Sequence, residues 1–319
     1  MDTLQLIVDT AEKIFSDHCD KQLLDAAETG SFSEGLWSTV TSNGFHLLGQ
    51  EASGTTAQDM YGFIKQCGRY AVPLPLAETM LVNLWQNQAT QDTPASIGEL
   101  VDNEIIGVSW GRVSQRVIGI AADSMDIVVV DNPQIVRQAT NMAGEPRDVI
   151  AVPGDAARQT LTEDPFAQVA LCHINLMAGC LNTVLDLGLQ FAEERSQFGR
   201  SISKFQAIQH SLAVVAAEVA AAQRAADAAV DALGTPRFVY EVAAAKSRVG
   251  EAVGVVAEQV HQIHGAMGFT HEHQLHHYTR RVWAWRDEWG NEFYWQALLG
   301  QHLAQLGADQ VWDFIATRG

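Results

Sequence analysis

Arg195, in the run Glu194-Arg-Ser-Gln-Phe-Gly-Arg200, places a guanidinium a few residues before a glycine. A planar, permanently charged guanidinium binds phosphate oxygens through paired N–H donors, and Gly199 lets the backbone approach such a group closely. A second polar anchor follows at Phe205-Gln206, and a second turn of small residues at His264-Gly-Ala-Met-Gly-Phe-Thr270, preceded by Gln262. The Arg195 guanidinium, the Gly199 turn and the turn holding Gly265 and Gly268 together suit the close approach of a pyrophosphate. Each piece alone is a helix-ending arginine or an ordinary glycine cap.

Other reactive side chains have plainer readings. Glu272, Asp287, Glu288 and Glu292 share a region with Arg280, Arg281 and Arg286, as solvated helix residues and ion-pair partners do. His271-Glu-His-Gln-Leu-His-His277 invites a metal site, yet Leu275 stands where a zinc-binding HExxH helix needs its second histidine. We expect no metal there, and a polar helix face instead. Trp283, Trp285, Trp289, Phe293, Tyr294 and Trp295 read as packed core or subunit contact.

The elements that must hold these residues follow from pattern. From Leu4 to about Trp85 apolar residues recur at helical spacing, broken by Gly30, Gly44, Gly54, Pro73 and Pro75. Between about Glu104 and Thr162 the pattern becomes short β-branched runs: Ile105–Val108, Arg116–Ile120, Asp126–Val130 and Val149–Val152. After Pro165 only Pro236 interrupts the chain, and the alanine-dense run from Phe205 to Leu233 suits close helix packing. The expected fold is mainly α with a small β-domain: a helical domain over 1–102, an abbreviated β-domain over 103–164 and a four-helix bundle over 165–319. The bundle helices are expected at 166–195, 203–233, 237–264 and 285–306.

A length of 319 residues suffices for a substantial core, and a formal charge of −18 opposes nucleic acid or an anionic membrane as partner. Four cysteines without a CxxC pair favour a reducing compartment, and the N-terminus from Met1 has no basic, then apolar, leader. A soluble cytoplasmic protein is the expectation.

The order of domains and the two motifs resemble the acyl-CoA dehydrogenase family, over nearly the whole chain and with most specificity in its last half. The Arg195-Ser-Gln-Phe-Gly segment is similar to the family's flavin clamp. The resemblance implies that Arg195 contacts the FAD pyrophosphate while Phe198 and Gln206 line the adenosine side. The second turn is similar to the family's Gln-x-x-Gly-Gly-x-Gly-Phe, with Gln262, Gly265 and Gly268 matching and Ala266 in place of one glycine. Because family members lend this clamp to a neighbouring subunit, the resemblance also implies a homo- or hetero-oligomer. It further implies an acyl-CoA substrate and an electron-transferring flavoprotein as electron acceptor.

The catalytic half departs from the family. Its usual glutamate falls at Trp289, and an indole cannot accept the α-proton, so no catalytic residue is assigned. A second family position for the base falls near Val169, and Ala170 matches an arginine that contacts acyl-CoA. Glu288 is the rescue candidate. In the β-domain, Val108-Ser-Trp-Gly111 is a faint substitute for the segments that hold the flavin ring. The chain most resembles the reduced subunits of heteromeric dehydrogenases that degrade steroid side chains, in which the complete partner supplies the base. A structural or regulatory homologue without flavin, or an active homo-oligomer using Glu288, are the alternatives.

Overall fold

The structure is a computed structural model that describes residues 3–87 and 92–317; Met1 and Asp2, where the N-terminal reading begins, lie outside the described residues. The chain forms two compact units, Met1–Cys172 and His173–Gly319. It is mainly helical with a small sheet, as the sequence pattern requires.

The first unit opens with helices α1 (Thr3–His18), α2 (Lys21–Glu28), α3 (Glu34–Ser42), α4 (Ala57–Arg69) and α5 (Leu76–Gln86). Thr56 starts α4 through a capping box, its hydroxyl taking the Asp59 N–H while the Asp59 carboxylate takes the Thr56 N–H. Phe15 of α1 packs tilted against Phe63 of α4, ring centroids 5.7 Å apart, and Phe63 in turn stacks on Phe45 at 4.6 Å.

A seven-stranded mixed sheet follows: β1 (Ala95–Val101), β2 (Glu104–Ser109), β3 (Arg116–Ile120), β4 (Asp126–Asp131), β5 (Ile135–Arg137), β6 (Arg147–Ala151) and β7 (Ala157–Thr160). Its order is β5-β6-β2-β1-β3-β4-β7, with β1 and β3 parallel and the other neighbours antiparallel. Ile105, Val108, Val117, Val128, Val130 and Ile150 close its core. β1 precedes residue 103 and escaped the sequence reading because Gly98 dilutes its β-branched pattern. That glycine is required: a Cβ would lie 2.5 Å from the Ile106 carbonyl. β7 is fully exposed, so no apolar alternation marked it.

Helix α6 (Pro165–Glu194) crosses from the first unit into the second. By length and composition it could span a membrane, but 78% of its most apolar window is buried, as in a core helix. It is followed by the hairpin β8 (Ser196–Gln197) and β9 (Arg200–Ser201), then α7 (Gln206–Asp231), α8 (Phe238–His264), α9 (Leu275–Asp287), α10 (Glu292–Leu306) and α11 (Ala308–Thr317). Within the second unit α8 is central, packing against α7, α9 and α10. Gly188 of α6 lets Val260 of α8 come within 3.3 Å of where a Cβ would sit.

The expected fourth bundle helix, 285–306, is corrected. The helical stretch breaks at Glu288–Asn291, where Trp289 and Gly290 both take left-handed φ, 58° and 83°. Asn291 then caps α10, its side chain accepting the Tyr294 N–H at 3.2 Å.

Candidate functional site

The glycine of the Arg-Ser-Gln-Phe-Gly run makes a two-residue hairpin. Gln197 pairs with Arg200, and the turn residues Phe198 and Gly199 have φ of 52° and 79°, the signs of a type I′ turn. Gly199 adopts this at no steric cost; Phe198 does so with strain. The hairpin is tied to the end of α6 by Ile202 N donating to Arg195 O at 2.8 Å and Ser201 Oγ donating to Ala192 O at 2.7 Å.

The resulting knob presents its side chains outward. Phe198 is 93% exposed, edge-on to Phe205 with centroids 6.2 Å apart, and the Arg200 guanidinium lies 4.3 Å over the Phe205 ring. Arg195 is exposed, as is Gln206 at the first position of α7. Ala192, Ile202 and Leu212 pack with Ile263 from the last turn of α8, so one apolar cluster joins the hairpin to the segment carrying Gln262.

At the end of α8, Gly265 takes φ 58° and opens the second glycine turn, a 3₁₀ turn over Gly265–Phe269. Ala266 is not among the left-handed residues, so its Cβ is accommodated where the family's motif has glycine. Gly268 is buried, and a Cβ there would lie 3.0 Å from His261 Nδ1. Gln262 and Gly265 line a groove of about 340 Å³ with Glu258, His261, Phe269 and Trp283. Arg195, Phe198 and Gln206 lie outside that lining.

Beneath this turn sits a ring cluster that sequence reasoning missed. His264 stacks on Phe191 at 4.3 Å and meets His273 edge-on at 4.7 Å, and His261 stacks on Phe269 at 4.6 Å. The His264 Nδ1–H donates to Val260 O at 2.8 Å. Burial pulls the His264 imidazole from 6.5 down to about 4, with His273 and His261 adding to the shift against the Val260 bond. Burial likewise lowers His261 and His273. The expected polar face at 271–277 is corrected in part: His276 and His277 are buried in α9, because α9 begins at Leu275 and turns both inward. Among the described residues no group of three or more His, Cys, Asp or Glu is gathered as for a metal.

The segment expected to carry a base is the turn between α9 and α10. Trp289 is 6% exposed, and its carbonyl accepts the Trp295 indole N–H at 3.1 Å. Glu288 directs its carboxylate at His173, 3.1 Å from Nε2; Glu292 pairs with Arg286 at 2.6 Å. Asp287 and Glu272 are exposed. Val169 and Ala170 are buried in α6 at 1% and 0%, so neither second position carries a polar group.

The turn closes on Lys246 of α8, which is 1% exposed and donates to the carbonyls of Arg286, Glu288 and Gly290 at 2.7, 3.0 and 2.7 Å. Burial pulls Lys246 from 10.5 down to about 7, opposed by Glu292, Glu288 and Asp287. The available signal was a charge on the apolar stripe Val242, Lys246, Val249, Val253 of α8.

Comparison with known proteins places these features in a family. Residues 160–288 match the family model described as acyl-CoA dehydrogenase, C-terminal domain. The acyl-CoA dehydrogenase IpdE2 of Mycobacterium tuberculosis is 26% identical over 293 residues, covering 87% of this chain and 90% of that protein. The crystal structure of the ChsE4-ChsE5 complex from Mycobacterium tuberculosis has the same fold, with a TM-score of 0.85 at 16% identity over 97% of this chain and 99% of the compared one. The Tcur3481-Tcur3483 steroid ACAD gives 0.81 at 19% identity over 95% and 98%.

Proposed function

Because this chain belongs to the acyl-CoA dehydrogenase family, we propose that it is a subunit which lends the FAD pyrophosphate and adenosine clamp to a partner dehydrogenase and lacks the base itself. The assembly performs α,β-dehydrogenation of an acyl-CoA thioester in the cytoplasm and passes electrons to an electron-transferring flavoprotein. FAD, when bound, supplies the hydride acceptor. A steroid-derived acyl group is the substrate class we favour, since a structure with this fold is named a steroid ACAD and another is a two-component complex.

The observation that carries this reading is the contrast between the two ends of the site. The clamp residues Arg195, Phe198 and Gln206 stand exposed, with open space around Gly199 and Gly265. That arrangement fits a cofactor held mostly by another chain, which meets an exposed surface rather than an enclosing cavity. At the other end, Trp289, which our reading aligns with the family's base, is buried, and Glu288 is engaged by His173. An exposed guanidinium then orients phosphate oxygens by paired N–H donors, and the Phe198 ring covers an adenosine face.

The test is co-expression with a full-length dehydrogenase from the same genome. The expected result is a colourless chain alone and a yellow complex that acyl-CoA bleaches. A yellow isolated chain that bleaches with acyl-CoA overturns the reading and favours Glu288 as base in a homo-oligomer. Arg195→Ala in the complex is expected to lower flavin retention about tenfold, the worth of one charge-assisted phosphate contact. Unchanged retention refutes the clamp, and a complex without any flavin favours a purely structural homologue.

A further inference from the structure

A buried ammonium ordinarily finds a carboxylate. Lys246 has three in its neighbourhood, Glu292, Glu288 and Asp287, but the Glu288 and Glu292 carboxylates are bonded to His173 and Arg286, and Asp287 is exposed. What the Lys246 Nζ meets is backbone oxygen: Arg286 at 2.7 Å, Gly290 at 2.7 Å, Glu288 at 3.0 Å and, more loosely, Trp285 at 3.4 Å.

Two features bring these oxygens to one point. Trp285 and Arg286 are in the last turn of α9, where carbonyls lack helical partners and the helix dipole is negative. The successive left-handed residues Trp289 and Gly290 then reverse the chain, so that the oxygens of 288 and 290 face the same Nζ. The reversal is tightly fitted, since a Cβ on Gly290 would lie 2.7 Å from Trp295 Nε1. Four acceptors around a group with three N–H donors match the protonated amine, which has no acceptor site of its own. Empty of a cation, the same oxygens would be buried, convergent and unsatisfied.

We propose that the 285–290 turn is a carbonyl cage for a primary ammonium, occupied in cis by Lys246, and that this occupancy sets the shape of the turn and the placement of Glu288 and Trp289. Lys246 is thus a positioning residue. Its action is independent of flavin and of any partner chain.

The test uses the full chain at about pH 6, where Lys246 and added alkylamines are protonated. Lys246→Ala leaves the volume of a propylammonium ion. Expected results are a lowered urea midpoint and a displaced fluorotryptophan NMR signal for Trp289, identified by its loss in Trp289→Phe. Propylammonium restores both and 1-propanol restores neither, while Lys246→Met, apolar and of similar length, behaves like Lys246→Ala without amine. Equal rescue by propanol, or a wild-type signal and midpoint in Lys246→Met, overturns the proposal in favour of packing. If the variants do not fold, the unaltered chain still decides: lysine-selective nitrogen NMR must show one slowly exchanging ammonium. Its absence refutes the cage.

Discussion

The imidazole Nε2 of His173 stands 3.1 Å from the Glu288 carboxylate, joining the start of the second unit to the turn that follows α9. A carboxylate so engaged is a structural partner, and its removal separates stability from catalysis. Glu288→Gln keeps an acceptor for His173, so it is expected to cost about 1 kcal/mol in urea unfolding. The dehydrogenase rate of the assembly should stay within about twofold, where loss of a true general base costs about 10²-fold or more. A rate loss of that larger size would reinstate Glu288 as the base.

Gly290→Ala tests the turn through its backbone. A methyl at φ 83° is strained in itself and would sit 2.7 Å from both Trp295 Nε1 and Tyr294 Cδ1. The expected loss is about 2–4 kcal/mol, read as a lower urea midpoint at unchanged slope. Gly300→Ala, in α10 with nothing within 4 Å of its Cβ, is the control and should be neutral or mildly stabilising.

Phe198 sets stability against function. A nearly fully exposed aromatic in the left-handed region contributes little to the core and holds a strained φ of 52°. Phe198→Gly is therefore expected to raise the unfolding free energy by up to about 1 kcal/mol. In the same variant flavin retention by the complex should fall, because the ring proposed to cover the adenosine is gone. A variant that gains stability and keeps its flavin would remove Phe198 from the clamp.

The histidine cluster predicts an acid-side loss of stability. The folded-state value of His264 is depressed from 6.5 to about 4, and those of His261 and His273 are lowered too. Between those values the unfolded chain binds protons that the native one refuses. Stability from these groups is complete above about pH 6.5 and falls as pH drops toward about 4. Urea midpoints measured across that window should decline, and His264→Leu should flatten the decline.

The sequence made the helical and sheet regions legible where periodicity was uninterrupted: β2, β3, β4 and β6, and helices α6 to α8, fall on runs that pattern alone marks out. It failed where backbone geometry overrides pattern. Gly98 hid β1 because a close strand approach demands the residue that carries no β signal. The break at Trp289 and Gly290 was invisible because a left-handed tryptophan has no compositional mark, and the lysine that organises it lies 43 residues earlier (289 − 246). His173 was equally silent, since its partner is 115 residues away.

The bonds that Lys246 makes to the turn end on main-chain oxygens, which every residue type provides. Side chains at 287 to 289 can therefore change while the loop they stand on keeps its path. Residue 289 can thus be an indole or a smaller polar group with little disturbance to the surrounding helices. The position behaves as a socket, its shape guarded by α8 and its contents left to drift.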